Sequence, residues 1–415
     1  MNLKLHKPTY SVSGTVKIPG SKSISNRILI IKALSGLDFE IENLSDSDDT
    51  LYLKRALEKA NSSNIINVGH AGTDIRFLTA FLSIKNGDYE LTGSERLQQR
   101  PIKDLVDALR IFGADISYKN NEGFPPLQIK GKQLQGGAVN ISGNISSQFI
   151  TALLLVAPYF TDGLELTIKN ELVSKPYIDM TITLMKQFGA SVIWSENKIT
   201  VKPIPYSYNR KEFFVESDWS AVSYYYSIVA LSSAGTKLTL KNLFKNSLQA
   251  DSACEKIYRN LGVETEFKNN EIIISKIKEA NKLPLELDFI QCPDIAQTVV
   301  CSCVGLQIPF RFTGLQTLKL KETDRIIALK HECKKFGIEL EVTDNSIQWN
   351  GEQSLSQEIS NSVSTYNDHR MAMSIAPLCL LVKNVMIENA EVVSKSYPLF
   401  WEHIKSIGIN QTQLL

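Results

Sequence analysis

The stretch TLMKQFGASVIW, residues 183–194, changes its periodicity at a single glycine. Before Gly189 the apolar residues recur at helical spacing, and after it they alternate as in a half-buried strand. Glycine suits that point because it takes the left-handed conformation that ends a helix and turns the chain sharply into a strand. The same junction occurs in DALRIFGADISY (107–118), KIYRNLGVETEF (256–267), ECKKFGIELEV (332–342) and EHIKSIGIN (402–410). The shared glycines, at 113, 189, 262, 337 and 408, are spaced by 76, 73, 75 and 71 residues. So even a spacing signals an internal repeat, and a chain of 415 residues then holds six copies. The sixth is expected near LYLKRALEKANSSNIINV, where the glycine is absent and the spacing shorter. The fold class expected is α/β (α+β), with strands and helices in every unit.

Working outward, YSYNRKEFFVESDWS (206–220) is polar and irregular, and it precedes an apolar helix, AVSYYYSIVAL. It divides the chain into halves of similar size. Lys+Arg number 45 against 44 Asp+Glu, a net charge of +1. That balance argues against a nucleic-acid or membrane-surface binder, so any basic cluster is local. The opening MNLKLHKPTYSVSG lacks an apolar signal core, and no apolar stretch approaches the ~18–20 residues that span a bilayer. A cytoplasmic protein is expected. Six cysteines (254, 292, 301, 303, 333, 379) form no C-x-x-C pair and read as buried thiols. Five scattered histidines (6, 70, 331, 369, 403) give no metal spacing, so no metal is expected.

PGSKSISNR, 19–27, packs Lys22, Arg27 and three serines ahead of the apolar run ILIIKAL. A helix N-terminus with its free N–H groups favours an anion, and the two cations add to that. An ordinary capped helix with solvated cations fits this segment equally well. It is not a P-loop, because Ser21 stands between the glycine and the lysine. GHAGTDIRFL (69–78) places Gly72 and Thr73 before a helix carrying Arg76, and a tight turn into a core helix also accounts for it. Arg96 and Arg100 precede Pro101, a residue suited to a first helical turn. Ser146, Ser147 and Gln148 open an apolar helix, more polar groups than one cap requires.

SKPYID (174–179) is a modest signal. In LKLKETDRIIALK (318–330), Lys321, Glu322, Asp324 and Arg325 cluster at a helix start, and Lys321 and Arg325, four apart, are expected on one face. Asp368, His369 and Arg370 precede another apolar helix, and Lys395 precedes Pro398. Cations thus recur at expected helix starts, which in a nearly neutral chain points to one highly anionic small-molecule site. Asp294 in CPDIAQ and Glu322 are candidates for proton transfer.

PGSKSISNR, GTDIRFL, RPIKDLVDALR, SSQFITALL, SKPYID, ESDWSAVSYY, PDIAQ, KETDR, NDHRMAM and SKSYPLF together resemble, in order, the motifs of the 5-enolpyruvylshikimate-3-phosphate synthase family. The resemblance runs from about residue 10 to residue 404. It implies a two-domain inside-out barrel of six βαβαββ units, three per domain. Residues 1–20 and 217–415 would form one domain and 21–216 the other, with the active site in the cleft between them. The implied reaction moves the enolpyruvyl group of phosphoenolpyruvate to the 5-hydroxyl of shikimate 3-phosphate, with loss of phosphate.

By the same resemblance, Lys22, Ser23, Arg27, Ser146, Ser147, Gln148, Ser174, Tyr177, Asp294 and Lys321 meet shikimate 3-phosphate. Lys22, Gly72, Arg100, Gln148, Arg325, Arg370 and Lys395 meet phosphoenolpyruvate. Asp294 is the implied base for the 5-hydroxyl, with Glu322 and Lys22 as the proton shuttle at C3 and His369 in support. No cofactor, metal, nucleic-acid or membrane partner is implied, and a monomer is expected. His70, Asp74, Phe77 and Thr317 stand where the family usually has Asn, Ala, Pro and Asn. The enolpyruvyl transferases acting on UDP-N-acetylglucosamine share the implied fold, but their mobile loop carries a Cys, and here none precedes residue 254. A non-catalytic anion-binding protein on the same scaffold would have no need of Asp294 and Glu322.

Overall fold

A computed structural model describes the chain except for residues 7, 9, 10, 144, 145, 171, 359–361 and 415. Asn144 and Ile145, in the segment ahead of Ser146, therefore lie outside the described residues. All five junction glycines are left-handed, with φ of 92°, 80°, 84°, 82° and 106° at 113, 189, 262, 337 and 408. At Gly189 the N–H returns to the Lys186 carbonyl (3.1 Å), and the Ala190 N–H reaches Met185 (3.0 Å). The same pair of bonds closes the helices before Gly113, Gly337 and Gly408 and satisfies their last carbonyls. The residue before each glycine (Phe112, Phe188, Leu261, Phe336, Ile407) is buried, so each junction is anchored in a core.

The chain forms two compact units, Met1–Pro19 with Glu216–Leu415, and Gly20–Val215. In the Gly20–Val215 unit, Ile65–Asn67 runs parallel to Gly87–Thr92, which pairs antiparallel with Leu127–Gly131, which in turn pairs with Asp115–Tyr118. Gly137–Ser142, Leu164–Lys169, Lys198–Val201 and Val192–Ser195 repeat that order. Glu40–Glu42 and Glu212–Phe214 add a parallel pair.

In the other unit the order recurs twice. One sheet runs Ser13–Lys17, Lys237–Lys241, Glu271–Lys276, Val263–Lys268, and the second Leu285–Asp288, Phe310–Thr313, Ile347–Trp349, Glu341–Val342. A third sheet, Asn384–Ile387, Asn2–His6, Gln411–Leu414, borrows its middle strand from the N-terminus. The expected sixth junction differs. Its helix, Asp48–Lys59, is followed by right-handed Ala60, and the next strand, Ile65–Asn67, opens a new sheet instead of a hairpin.

Strands such as Leu164–Lys169 (LELTIK) bury alternate residues, as a sheet with one wet face requires. The helices beneath are of two kinds. Lys103–Ile111 buries one stripe, whereas Ser147–Val156 and Trp219–Leu231 are buried on nearly every side and form the centres of their units. Hydroxyls join the central helices of the larger unit, with Thr298 bonded to both Ser223 and Ser374 at 3.1 Å. All six cysteines are buried free thiols. Among the described residues no helix is long and apolar enough to cross a membrane.

Candidate functional site

In the unit Gly20–Val215, the helices Lys22–Ser35, Gly72–Ile84, Ser147–Val156 and Lys175–Gln187 pack on one another. The chain can enter the first of these only through glycine, since a Cβ on Gly20 would lie 1.7 Å from the Asn43 carbonyl oxygen. Ser21 caps the helix by accepting the Ile24 N–H. The cations behind that cap both have protein partners. Lys22 Nζ meets Asp49 Oδ2 at 3.0 Å. Arg27 is buried, and its three nitrogens donate to neutral acceptors: Thr181 Oγ1 (2.8 Å), Ser23 O (2.7 Å) and Tyr177 O (3.2 Å). Burial without a nearby carboxylate lowers its pKa to about 10. A buried guanidinium fixed by neutral groups has a charge that an anion could offset.

The helix Gly72–Ile84 begins at Ala71, which supplies no side-chain cap. Arg76 donates to the Gly72 and Pro101 carbonyls. Arg100 also presses against Gly72, where a Cβ would sit 2.1 Å from Arg100 Nη1. The Arg100 guanidinium has no ion pair among the described residues. Gln148 donates to Thr73 Oγ1 at 3.1 Å, and its Oε1 is buried without a hydrogen-bond partner among the described residues. Ser146 caps its helix through the Gln148 N–H, Ser147 is the first helical residue, and Ser174 opens its helix in the left-handed conformation.

The second cluster belongs to the unit Met1–Pro19 with Glu216–Leu415. Arg325 is fully buried and meets three carboxylates: Asp368 at 2.7 Å, Glu322 at 2.9 Å and Asp294 at 3.3 Å. Burial opposes its charge, but Asp368 and Glu322 more than offset that and raise its pKa. Asp294 receives Arg370 at 3.1 Å, Arg325 at 3.3 Å and Lys321 at 3.4 Å. Burial disfavours the Asp294 anion, yet Arg370, Lys321 and Arg325 together hold its carboxyl well below the usual range. Burial lowers the pKa of Lys321, against the pull of Asp294. Glu322 Oε1 takes Lys395 at 2.7 Å. Four cations and three carboxylates thus share one small region.

Two local expectations change. Lys321 does not share a helix with Arg325: Asp324 caps the helix Arg325–Lys335 by accepting the Ile326 and Ile327 N–H groups, leaving Lys321 in the turn before it. Lys395 closes the short helical segment Ala390–Lys395 instead of starting a helix. Both still reach the carboxylates.

The EPSP synthase (3-phosphoshikimate 1-carboxyvinyltransferase) profile matches residues 6–61 and 54–404. The chain belongs to this family. A 3-phosphoshikimate 1-carboxyvinyltransferase of Bacteroides fragilis is 48% identical, with 96% of each chain covered. One from Vibrio atlanticus is 35% identical, covering 97% of this chain and 99% of that one. The mixed α/β fold matches an EPSP synthase from Acinetobacter baumannii with a TM-score of 0.78 at 21% identity, each chain fully covered.

At the positions that depart from the EPSP synthase pattern, each new side chain has a definite setting. His70 lies 3.9 Å from Asp48 and edge-on to Tyr52. Asp74 is buried and accepts the Asn26 amide at 2.9 Å. Phe77 packs beneath the Arg27 guanidinium, 5.7 Å from its ring centre. Thr317 Oγ1 is buried with no hydrogen-bond partner among the described residues. Two partners of the expected residues were missed from sequence, Asp49 and Asp368. Asp368 was legible as the cap of its helix, but neither its contact with Arg325, 43 residues away, nor that of Asp49 with Lys22 leaves a mark in the local pattern.

Proposed function

We propose that this protein transfers the enolpyruvyl group of phosphoenolpyruvate to the 5-hydroxyl of shikimate 3-phosphate, giving 5-enolpyruvylshikimate 3-phosphate and phosphate. The observation that carries the reading is the triple hold of Arg370, Arg325 and Lys321 on Asp294, in a member of the EPSP synthase family. The two substrates bring two phosphates and two carboxylates, which is the charge such cations are suited to receive.

Phosphoenolpyruvate is assigned to Lys22, Gly72, Arg100, Gln148, Arg325, Arg370 and Lys395. Shikimate 3-phosphate is assigned to Lys22, Ser23, Arg27, Ser146, Ser147, Gln148, Ser174, Tyr177, Asp294 and Lys321, with the unpartnered Thr317 hydroxyl in place of the usual Asn. Glu322, held by Lys395 and Arg325, delivers a proton to C3 of the enol phosphate with Lys22, which makes C2 electrophilic. Asp294 then removes the proton of the attacking hydroxyl. In the free protein Asp294 is a weak base, because three cations stabilise its anion. Substrate oxygens arriving on Arg370 and Arg325 share that positive charge and restore its basicity. Loss of the C3 proton and of phosphate from the tetrahedral intermediate completes the transfer.

The fold proposed is six βαβαββ units, three per domain in an inside-out barrel, supported by the sheet order that recurs four times. The domains proposed are 1–20 with 217–415, and 21–216. The enzyme is proposed to work as a cytoplasmic monomer without a cofactor. A phosphate-release assay tests the activity, with each substrate omitted in turn. Release is expected only when both are present. Release with UDP-N-acetylglucosamine in place of shikimate 3-phosphate would overturn the reading.

A further inference from the structure

Asp251 lies outside every role assigned above, yet it is buried in the short helical turn Ala250–Ala253 beside the Asp294 cluster. Its Oδ2 accepts the hydroxyl of Ser220, and its Oδ1 has no hydrogen-bond partner among the described residues. A serine hydroxyl has one proton. With that proton given to Asp251, the oxygen lone pairs are left for Arg370 Nη2, 3.3 Å away. Arg370 is therefore held from two directions, by Asp294 (carboxylate 3.1 Å, carbonyl 3.1 Å) and by Ser220.

We propose that Asp251 is a positioning residue that, through Ser220, orients the Arg370 guanidinium for the anionic substrate. This rests on the assignment of Arg370 to phosphoenolpyruvate made above. Asp294 makes a poor sole anchor for Arg370, since as the base of the reaction its charge changes during turnover. The Ser220–Asp251 contact takes no part in the proton transfers and keeps the guanidinium in place while Asp294 is protonated.

The groups that face Asp251 are Asp294 and Asp218, which disfavour its charge, Arg370, which favours it, and the thiols of Cys254 and Cys292. Burial and the charge of Asp294 push its pKa up to about 7. Above that pH the carboxylate accepts from Ser220 and orders the pair. Below it a protonated Asp251 donates to the Ser220 oxygen instead, which occupies a lone pair and weakens the hold on Arg370.

The test is steady-state kinetics of Ser220→Ala and Asp251→Asn with both substrates. Removing a hydrogen bond to a charged group should raise KM for phosphoenolpyruvate about tenfold in each. Turnover should stay within about twofold, because the contact orders a binding group and does no chemistry. Combining the two changes should add little to either alone, as expected of residues acting in series. The ratio of KM in Asp251→Asn to that in the parent should grow from pH 6 to pH 8, as the parent carboxylate ionises. A ratio independent of pH would overturn the part given to the Asp251 charge.

Unchanged KM for phosphoenolpyruvate in Ser220→Ala, or lost turnover with KM intact, would overturn the relay. Arg370→Lys separates the two readings. If it raises KM for phosphoenolpyruvate and Ser220→Ala does not, the relay alone fails. If it leaves that KM unchanged, the assignment of Arg370 and the relay fail together.

Discussion

Arg325 Nε lies 2.7 Å from Asp368 Oδ2, and neither side chain exposes more than 2% of its surface. Burying a guanidinium that far is costly, and the carboxylates around Arg325 offset the cost, Asp368 being the closest of them. Asp368→Ala leaves Arg325 under-compensated and also removes the cap of the helix His369–Ile375. The expected loss is about 3–5 kcal/mol of stability, read by denaturant unfolding. A variant as stable as the parent would mean that Glu322 and Asp294 suffice.

Asp294→Asn keeps the shape of the side chain and removes its charge. The prediction is a loss of turnover of about 100-fold or more, as when a general base is deleted. Shikimate 3-phosphate should still bind when titrated calorimetrically. Unchanged turnover would take Asp294 out of its proposed role.

Arg27 gives a dependence on pH whose sign follows from burial. Its pKa is lowered to about 10, so the free protein loses this cation as pH rises through that value. A bound phosphate favours the charged form, and binding above that pH must therefore take up a proton. Affinity for shikimate 3-phosphate should fall by up to about tenfold per pH unit beyond that point. Calorimetry at several alkaline pH values on the parent and on Arg27→Gln measures it. An equally steep fall in the variant would assign the effect to another group, of which Lys321 is the first to examine.

Gly72 tolerates no side chain without movement of a neighbour. A Cβ would meet Arg100 Nη1 at 2.1 Å and Arg76 Nη1 at 3.1 Å. Arg76 is tied to two carbonyls, so Arg100 is the side chain that yields. Gly72→Ala should keep the thermal midpoint nearly unchanged and raise KM for phosphoenolpyruvate by about tenfold through misplacement of that cation. Parent-like kinetics would show that the Arg100 position seen here is not needed.

Much of the site was legible because helix starts carry local signatures. Asp324 and Arg325 cluster at one helix start, Asp368 precedes another, and Lys22 and Ser146 stand beside two more. Less legible was what the cations do there. PGSKSISNR reads equally well as a capped helix and as an anion site; the fold shows the Ser21 cap and an Arg27 held by neutral acceptors. The turn holding Lys321 reads as helix because a charged run satisfies helical spacing without burying anything that would fix its conformation.

Asp49 and Asp251 lie in no motif, and Ser220, inside ESDWSAVSYY, shows no sign there of its partners. Their importance comes from partners 27 to 150 residues away in the chain. The sequence by itself determined the helix–glycine–strand junctions, the apolar helices at the centre of each unit and the chemical types gathered at helix starts, because backbone conformation and burial leave a periodic trace. Only the tertiary structure decided which carboxylate holds which cation. A buried ion pair is selected by distance and by the loss of water around it, and neither is written in the spacing of residues along the chain.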